Sequence, residues 1–270
     1  MSYRNQEYWD NKNEMAKKAQ EHYLNMEQML IDEIKYSEEN SMIFSDISYD
    51  YDIFKPKLNN GKQNIEVIVD DIDTVSAIFK YKEGKTTVLN FASYKHPGGM
   101  FLKGSSAQEE SLCHHSTLFN VLKRFALYYK WNSEHLNKAL YTNRAIVSPN
   151  ILFFNPSTNS NYRMCCDVIT CAAPNKHAAQ KYQKVTDEEN TIALGGRIAF
   201  VMDIANYLNV ETLILGAYGC GVFGQDPYQV SMMFKQYIDN ISCSFNKVIF
   251  AIPSSYRNNN LEAFRKTFHK

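Results

Sequence analysis

Apolar residues follow a helical spacing over the first forty residues of the chain. The residues on this spacing are Met15, Ala19, Tyr23, Met26, Leu30 and Ile34. Steps of three and four place them on one face of a helix, so residues 5–40 are predicted to be helical and packed through that face. Residues 41–63 show little periodicity and contain the turn formers Asn60-Gly61, which predicts a join to the main part of the protein.

Short apolar runs and amphipathic stretches alternate from residue 64 onward. Strands are predicted at 66–69, 87–92, 145–155, 167–172, 212–217 and 248–252. Helices are predicted after the N-cap residue Asp73 and over 118–129, 198–208 and 227–241. This alternation is typical of a layered α/β fold with a largely parallel sheet. We therefore predict a helical N-terminal extension, residues 1–63, and one α/β domain, residues 64–270.

Composition narrows the classes of function. The 270 residues contain 29 Lys plus Arg and 29 Asp plus Glu, and a chain without net charge does not predict general nucleic-acid binding. No stretch suits a signal peptide or a membrane span, so we expect an intracellular protein, cytoplasmic or nuclear and not secreted. The six cysteines lack ligand spacing for zinc and are expected to be reduced; no metal or cofactor is expected.

A glycine-rich loop follows the predicted strand 212–217. It reads Gly219-Cys220-Gly221-Val222-Phe223-Gly224 and is followed by Asp226-Pro227, a typical helix start. The spacing formally fits a dinucleotide-binding fingerprint, but that motif belongs to the first βαβ unit and needs a later acidic residue. Closely approaching glycine amides, together with the positive end of the helix expected to begin at Pro227, favour phosphate binding over a plain turn.

A second glycine-rich loop follows the predicted strand 87–92. It contains Pro97-Gly98-Gly99-Met100 and ends at Gln108-Glu109-Glu110, where a helix is predicted to begin. Ser106 and Glu109 also fit a capping box, so these residues taken alone favour helix capping over chemistry. In a parallel sheet both loops lie where ligands bind, beyond the carboxyl ends of the strands.

A family resemblance brings the two loops together. The stretch 88–119, VLNFASYKHPGGMFLKGSSAQEESLCHHSTLF, resembles the signature of microbial-type poly(ADP-ribose) glycohydrolases, in which a glycine triplet and a short spacer precede Gln-Glu-Glu. The stretch 213–227, LILGAYGCGVFGQDP, looks like the diphosphate-binding loop of that family. Residues 167–175 and 194–198 also resemble family segments, so the likeness covers about residues 64–255. One departure is Met100, which replaces the third glycine.

The resemblance implies both a fold and a reaction. The fold would be a macrodomain, with three α/β/α layers and a mixed, largely parallel sheet. The reaction would be hydrolysis of ribose–ribose O-glycosidic bonds in poly(ADP-ribose), which releases ADP-ribose and needs a proton for the leaving oxygen. Two neighbouring carboxyl groups can divide the work, because the charge of one raises the pKa of the other. Partners would be poly(ADP-ribose) or ADP-ribosylated proteins, and we expect a monomer.

The resemblance also assigns roles to residues. Glu110 would be the catalytic acid, Glu109 would help to hold the riboses, and Gln108 would support them by hydrogen bonding. Contacts to the substrate are expected from two further sets. The first loop and the strand before it would supply Asn90, Ser93, Gly98, Gly99 and Met100. The second loop would supply Gly219, Cys220, Gly221, Val222 and Phe223, although Phe223 could equally be a core anchor.

Three alternatives stay open from the sequence. The protein could bind ADP-ribose without cutting it, a reading that Met100 supports and the paired glutamates oppose. It could be a hydrolase that removes single ADP-ribose units, since the sequence pattern of the pocket would be the same for that activity. Cys220 could act as a nucleophile, although no histidine partner is identifiable.

Overall fold

The computed structural model describes residues 3–45, 64–156 and 162–268. The strands are β1 (Met42–Ser45), β2 (Glu66–Asp70), β3 (Thr86–Phe91), β4 (Arg144–Phe154), β5 (Arg163–Cys171), β6 (Thr212–Leu215) and β7 (Lys247–Ala251). The helices are α1 (Tyr3–Met29), α2 (Ile31–Glu39), α3 (Thr74–Tyr81), α4 (Gln108–His114), α5 (Leu118–Leu122), α6 (Ala126–Glu134), α7 (Lys176–Gln183), α8 (Asp187–Tyr207), α9 (Pro227–Asn240) and α10 (Asn260–Phe268). The turn Asn60-Gly61 of the expected join lies outside the described residues.

The strands form one sheet in the order β1-β4-β5-β3-β6-β7-β2. Strands β5, β3, β6, β7 and β2 run parallel to one another, whereas β4 is antiparallel to both β1 and β5. The sheet is therefore mixed and largely parallel, as predicted. Its central strand is β3, which places the loop after β3 beside the loop after β6.

Helices cover both faces of the sheet. Consecutive residues of β3 show this, since Leu89 packs with α8 and α9 while Val88 packs with α3, α4 and α5. Burial on both faces explains why Thr86–Asn90 is buried without interruption. The three-layer α/β/α arrangement predicted from the resemblance is thus confirmed. Of the helices in the described ranges, none is long and apolar enough to cross a membrane.

The N-terminal segment packs on the α3–α6 side of the sheet. Ala19, Leu30 and Ile34 of the predicted stripe are buried there. The helix is interrupted at Leu30, which begins α2 as its N-cap. The segment also contributes β1, which pairs with β4 and was not predicted. A domain boundary at residue 63 stays a prediction.

The predicted helices differ from the structure in several places. Residues 118–129 were expected to form one helix, but α5 ends at Leu122, where Arg124 and Phe125 close the turn with i→i+3 hydrogen bonds. Arg124 turns toward the N-terminal helices and pairs with Glu27 and Glu38. Helices α7 and α10 were not predicted, and α8 begins at Asp187 rather than at the predicted residue 198.

Candidate active site

The loops after β3 and β6 face one cavity of about 770 Å³. Most of the predicted substrate residues line it: Ser93, Gly99, Met100, Gln108, Glu109, Glu110, Gly219, Gly221, Val222 and Phe223. Asn90, Gly98 and Cys220 lie behind this surface rather than on it. The structure thus brings together two loops that are far apart in the sequence.

Glu109 is buried at the base of the cavity and bound from the β3 side. Its Oε2 accepts the backbone N–H of Ser93 at 2.6 Å, and its Oε1 accepts Asn90 Nδ2 at 3.2 Å. Asn90 is fully buried and also donates to Thr170 Oγ1 at 3.3 Å. Asn90 therefore reaches the site through Glu109, and the direct contact with the substrate expected from the sequence stays a prediction.

Burial controls the charge of Glu109. It raises the pKa of this carboxyl group from its ordinary value of 4.5 to about 8, against the lowering effect of the hydrogen bonds from Ser93 and Asn90. The negative charge of Glu110 contributes a smaller increase. The raised pKa thus belongs to Glu109, the residue expected to hold the riboses. Desolvation is its main cause, whereas the sequence argument relied on the neighbouring charge.

Glu110 presents a carboxyl oxygen to the cavity. Its Oε1 accepts the backbone N–H of Met100 at 2.8 Å. In the described part of the chain, its Oε2 has no hydrogen-bonding partner, although the residue is only 6% exposed. Of the two carboxyl groups, Glu110 is therefore the one with an oxygen free for a ligand.

The capping-box interpretation of this segment is wrong. The N-cap of α4 is Ala107, with no side-chain hydrogen bond at the cap, and Glu109 binds Ser93 and Asn90 instead of Ser106. Gln108 joins α4 to β3, because its Oε1 accepts the N–H of Phe91 and its Nε2 donates to the carbonyl oxygen of Leu89, both at 2.9 Å. The first turn of α4 is thus fixed to the sheet by side chains.

The glycines of the first loop make room for the glutamates. Gly98 and Gly99 have φ of 63° and 61°, which favours glycine. A β-carbon on Gly99 would lie 2.6 Å from Glu110 Oε1 and 3.0 Å from Glu109 Oε2. Met100 has φ of −109°, so the backbone accepts a side chain at the third position of the triplet. That side chain is 40% exposed at the cavity surface.

The end of the first loop packs on the N-terminal helix. Gly104 has φ of 75°, and a β-carbon there would collide with the carbonyl oxygen of Lys12 in α1. Phe101, in the 3-10 turn before it, is fully buried. Helix α1 therefore supports the loop that carries the Met100 amide.

The second loop presents backbone amides. Gly219 has φ of 75°, and the chain closes on itself through Gly224 N–H to Gly221 O and Gln225 N–H to Gly219 O. Four amides of the loop donate to no acceptor among the described residues: those of Gly219, Gly221, Val222 and Phe223. Such a run of free amides is suited to an anion.

Two expectations about this loop change. Helix α9 was expected to direct its positive end at the ligand, but Asp226 caps it by accepting the N–H groups of Tyr228 at 2.8 Å and Gln229 at 3.1 Å. Binding of an anion is therefore left to the loop amides. Burial raises the pKa of the Cys220 thiol to about 12, which opposes its role as a nucleophile because the thiolate is the reactive form.

Aromatic residues that the sequence did not identify complete the wall between the loops. Tyr94 and Tyr141 stack with ring centres 4.2 Å apart, and Tyr141 meets Phe223 edge to face at 6.2 Å. Phe223 is thus packed against this wall and also lines the cavity, so both of its expected roles are compatible with its position. Tyr141 has φ of 62° and lies in a segment with no recognisable motif.

The far end of the cavity lies beyond β7. Its lining includes Ser254, Ser255, Asn258 and Asn260, together with Asp73 and Thr74 at the start of α3. Asp73 caps α3 by accepting the N–H of Ser76 at 3.0 Å. Scattered serine and asparagine residues gave no signal in the sequence.

Comparisons with known proteins agree with this geometry. The profile of the family "Microbial-type PARG, catalytic domain" matches residues 11–156, and the abbreviation stands for poly(ADP-ribose) glycohydrolase. A comparison with curated proteins finds no match.

Among solved structures, the glycohydrolase of Thermomonospora curvata bound to the inhibitor ADP-HPD is similar at 26% identity and a TM-score of 0.84, over 95% of this chain and 100% of the other. The Deinococcus radiodurans enzyme in complex with ADP-ribose is similar at 28% identity and a TM-score of 0.78, over 87% of this chain and 96% of the other. Because the profile spans more than half of the chain and includes the loop with both glutamates, the chain belongs to the microbial-type poly(ADP-ribose) glycohydrolase catalytic domain family.

Proposed function

We propose that this protein hydrolyses ribose–ribose O-glycosidic bonds in poly(ADP-ribose) and releases ADP-ribose. The observation that carries the proposal is the pair of buried carboxyl groups in one cavity with a loop of free amides. Glycoside hydrolysis needs an acid beside the leaving oxygen, and the substrate also needs a site for its diphosphate. The similar enzymes from T. curvata and D. radiodurans are named for this activity.

Glu110 is the general acid in this mechanism. Its Oε2 is open to the cavity, and the Met100 amide fixes the carboxyl group through Oε1. Protonated, Glu110 delivers its proton to the leaving ribose oxygen as the glycosidic bond breaks. The Glu110 carboxylate then stabilises the oxocarbenium-like centre that forms. Water adds to this centre and gives a proton back to Glu110, which restores the acid.

Glu109 holds the substrate beside this acid. With a pKa of about 8, it is largely protonated at neutral pH. A neutral carboxyl group can donate a hydrogen bond to a ribose oxygen, and it leaves only one negative charge in the site after Glu110 has given up its proton. Ser93, Gly99 and Met100 surround the same region and are assigned to the distal ribose.

The loop Gly219–Phe223 holds the diphosphate. Its amides are fixed before a ligand arrives, so binding the anion costs little reorganisation. Phe223 lies between this loop and Tyr141, where its ring can pack against a ribose. In this arrangement, the glutamate loop binds at the glycosidic bond and the amide loop binds the diphosphate of the same ADP-ribose unit, within one cavity.

The decisive experiment incubates the protein with poly(ADP-ribose) and, separately, with mono-ADP-ribosylated protein, and measures free ADP-ribose. We expect release from the polymer, and the loss of that release in Glu110→Gln. Binding of ADP-ribose with no release from either substrate would instead support a non-catalytic binding domain. That alternative is favoured by one observation, the Met100 side chain at the cavity surface.

The protein is further proposed to act as an intracellular monomer on poly(ADP-ribose) or ADP-ribosylated proteins. A single chain supplies both glutamates and the amide loop, which supports a monomer. All six cysteines are free thiols, which suits a reducing compartment. Sedimentation of the pure protein and fractionation of the source cells test these two statements.

A further inference from the structure

Arg197 of α8 is a buried cation without an anionic partner. Its side chain is 1% exposed. Its Nε donates to Asn143 Oδ1 at 2.7 Å, and its two terminal nitrogens donate to the carbonyl oxygens of Ala172 and Leu140. Within the described ranges, no carboxylate lies within ion-pair distance of it. All of its acceptors are neutral.

Such a charge is costly to bury. A guanidinium group stays protonated in proteins, so it cannot escape the cost by losing its proton. A neutral side chain could donate hydrogen bonds to the same carbonyl oxygens, so these bonds do not require a cation. An isolated charge in the interior is favourable only when an anion compensates it. The hydrogen bonds therefore account for the conformation of the Arg197 side chain, but they do not account for the presence of a positive charge at this buried position.

The guanidinium group lies directly behind the diphosphate end of the cavity. Ala173, the neighbour of its acceptor Ala172, lines the cavity, and a β-carbon on Gly219 would lie 2.9 Å from the β-carbon of Ala173. Tyr141, the neighbour of its acceptor Leu140, also lines the cavity. By contrast, Lys95 is the one Lys or Arg that the described part of the chain places on the cavity surface, and it belongs to the glutamate loop.

We propose that Arg197 is the fixed positive charge that selects the diphosphate of the substrate, through the wall and without touching it. The inference rests on the proposed function, because it identifies the missing anion as the diphosphate. Arg197 is thus a positioning residue whose field crosses a thin layer of low dielectric constant, where salt screens weakly. The loop amides orient the diphosphate by hydrogen bonding, and the buried Arg197 supplies the positive charge that attracts it.

Asn143→Asp tests this by giving Arg197 a carboxylate at the place of its present acceptor. The substitution keeps the shape of the side chain and strengthens the contact with Arg197 Nε. We expect the dissociation constant for ADP-ribose to rise by on the order of tenfold. The dissociation constant for adenosine, which lacks phosphate, should stay within about twofold, since no charge is involved. For hydrolysis, KM should rise while kcat changes little, because ground and transition states both carry the diphosphate.

Asn206→Asp is the matched control. Asn206 is a half-buried asparagine near the end of the same helix, bonded to Tyr237 and Ser244 and remote from the cavity. The Asn206→Asp substitution adds the same negative charge as Asn143→Asp and should leave the affinity for ADP-ribose unchanged. If Asn143→Asp does not fold, Arg197→Lys and Arg197→Met give the same comparison: Lys should retain the preference for ADP-ribose over adenosine, and Met should lose it.

Two results would overturn the inference. One is an unchanged affinity of Asn143→Asp for ADP-ribose, which is what a purely structural anchor predicts. The other is an equal loss for ADP-ribose and adenosine, which would indicate a distorted wall. Failure of the proposed function is distinct, because the unmodified protein would then release no ADP-ribose from the polymer, whatever its affinity for free ADP-ribose.

Discussion

At the scale of single residues, the roles of the two glutamates separate most clearly in Glu110→Gln. The variant keeps the size of the side chain but removes the proton, and general acids contribute about 10²–10⁴-fold, so turnover should fall by that order. ADP-ribose affinity should change little. Glu109→Gln should affect affinity and turnover together, because Glu109 holds the riboses. Turnover at the wild-type rate in Glu110→Gln, measured with poly(ADP-ribose), would exclude the mechanism.

The raised pKa of Glu109 predicts a pH dependence of stability. Between its unfolded value of 4.5 and its folded value of about 8, the folded protein holds a proton that the unfolded chain has released. The free energy of unfolding therefore falls as pH rises through this window, by about 1.4 kcal/mol for each unit separating the two values. Glu109→Gln cannot titrate and should lack this contribution.

Denaturant unfolding of both proteins from about pH 5 to about pH 8 measures the difference. The stability of Glu109→Gln relative to wild type should rise by a few kcal/mol across the range. A constant difference at all pH values would mean that Glu109 is ionised in the folded protein.

The glycines of the two loops should respond differently to valine. Gly99→Val meets both glutamates and needs a positive φ, so it should reduce both stability and activity. A β-carbon at Gly221 has open space around it, so the Gly221→Val protein should fold normally. Its affinity for ADP-ribose should fall, because the new side chain occupies the space proposed for the diphosphate. Calorimetry with ADP-ribose checks both, and wild-type affinity in Gly221→Val would remove that residue from the site.

The sequence identified the residues of the site that share a motif. The glutamates and glycines are close to one another in each loop, so local spacing was sufficient. Tyr94, Tyr141 and Arg197 were not identified, because they meet only after distant segments fold together. Asn90 was identified, but its hydrogen bond to Glu109 was not predicted, because nothing local indicates that its amide is directed at that residue.

At the scale of elements, α1 supports the catalytic loop at Gly104. Gly104→Ala should force the loop away from Lys12 and cost at least about 1–2 kcal/mol, the usual penalty for a left-handed L-residue. Activity should fall as well, because the loop carries the Met100 amide that binds Glu110. Gly196→Ala in α8 has nothing within 4 Å of its β-carbon and serves as the control. Equal melting temperatures for the two variants would contradict the support by α1.

Most elements followed from periodicity and turn chemistry. The apolar runs of β2 to β7 were recognisable because helices cover both faces of the sheet, and α3 and α9 begin at the predicted caps. Helix α8 was predicted only from residue 198, although Thr186 caps it with a capping box. Strand β1 escaped prediction because an edge strand of four residues carries too little pattern. The break between α5 and α6 was not predicted, and the contacts of Arg124 with Glu27 and Glu38 at this point are tertiary ones that no local pattern indicates.

At the scale of the whole molecule, ADP-ribose should stabilise the fold. A ligand at 100 times its dissociation constant adds about 2.7 kcal/mol to the free energy of unfolding. The melting temperature should therefore rise with the concentration of ADP-ribose, and adenosine should have a much weaker effect at equal concentration. An unmoved melting temperature in millimolar ADP-ribose would count against the whole assignment of the cavity.

The position of β3 beside β6 has a consequence for how the protein is made. The acids become available early in synthesis, just after Phe91, whereas the amides that face them follow Leu215, after β4 and β5 have been added to the other side of β3. A nascent chain therefore contains Glu109 and Glu110 well before it contains the amides proposed to hold the diphosphate. Because pairings between distant segments form slowly, we expect the ability to bind the ligand to be gained late in folding, once β6 has paired with β3.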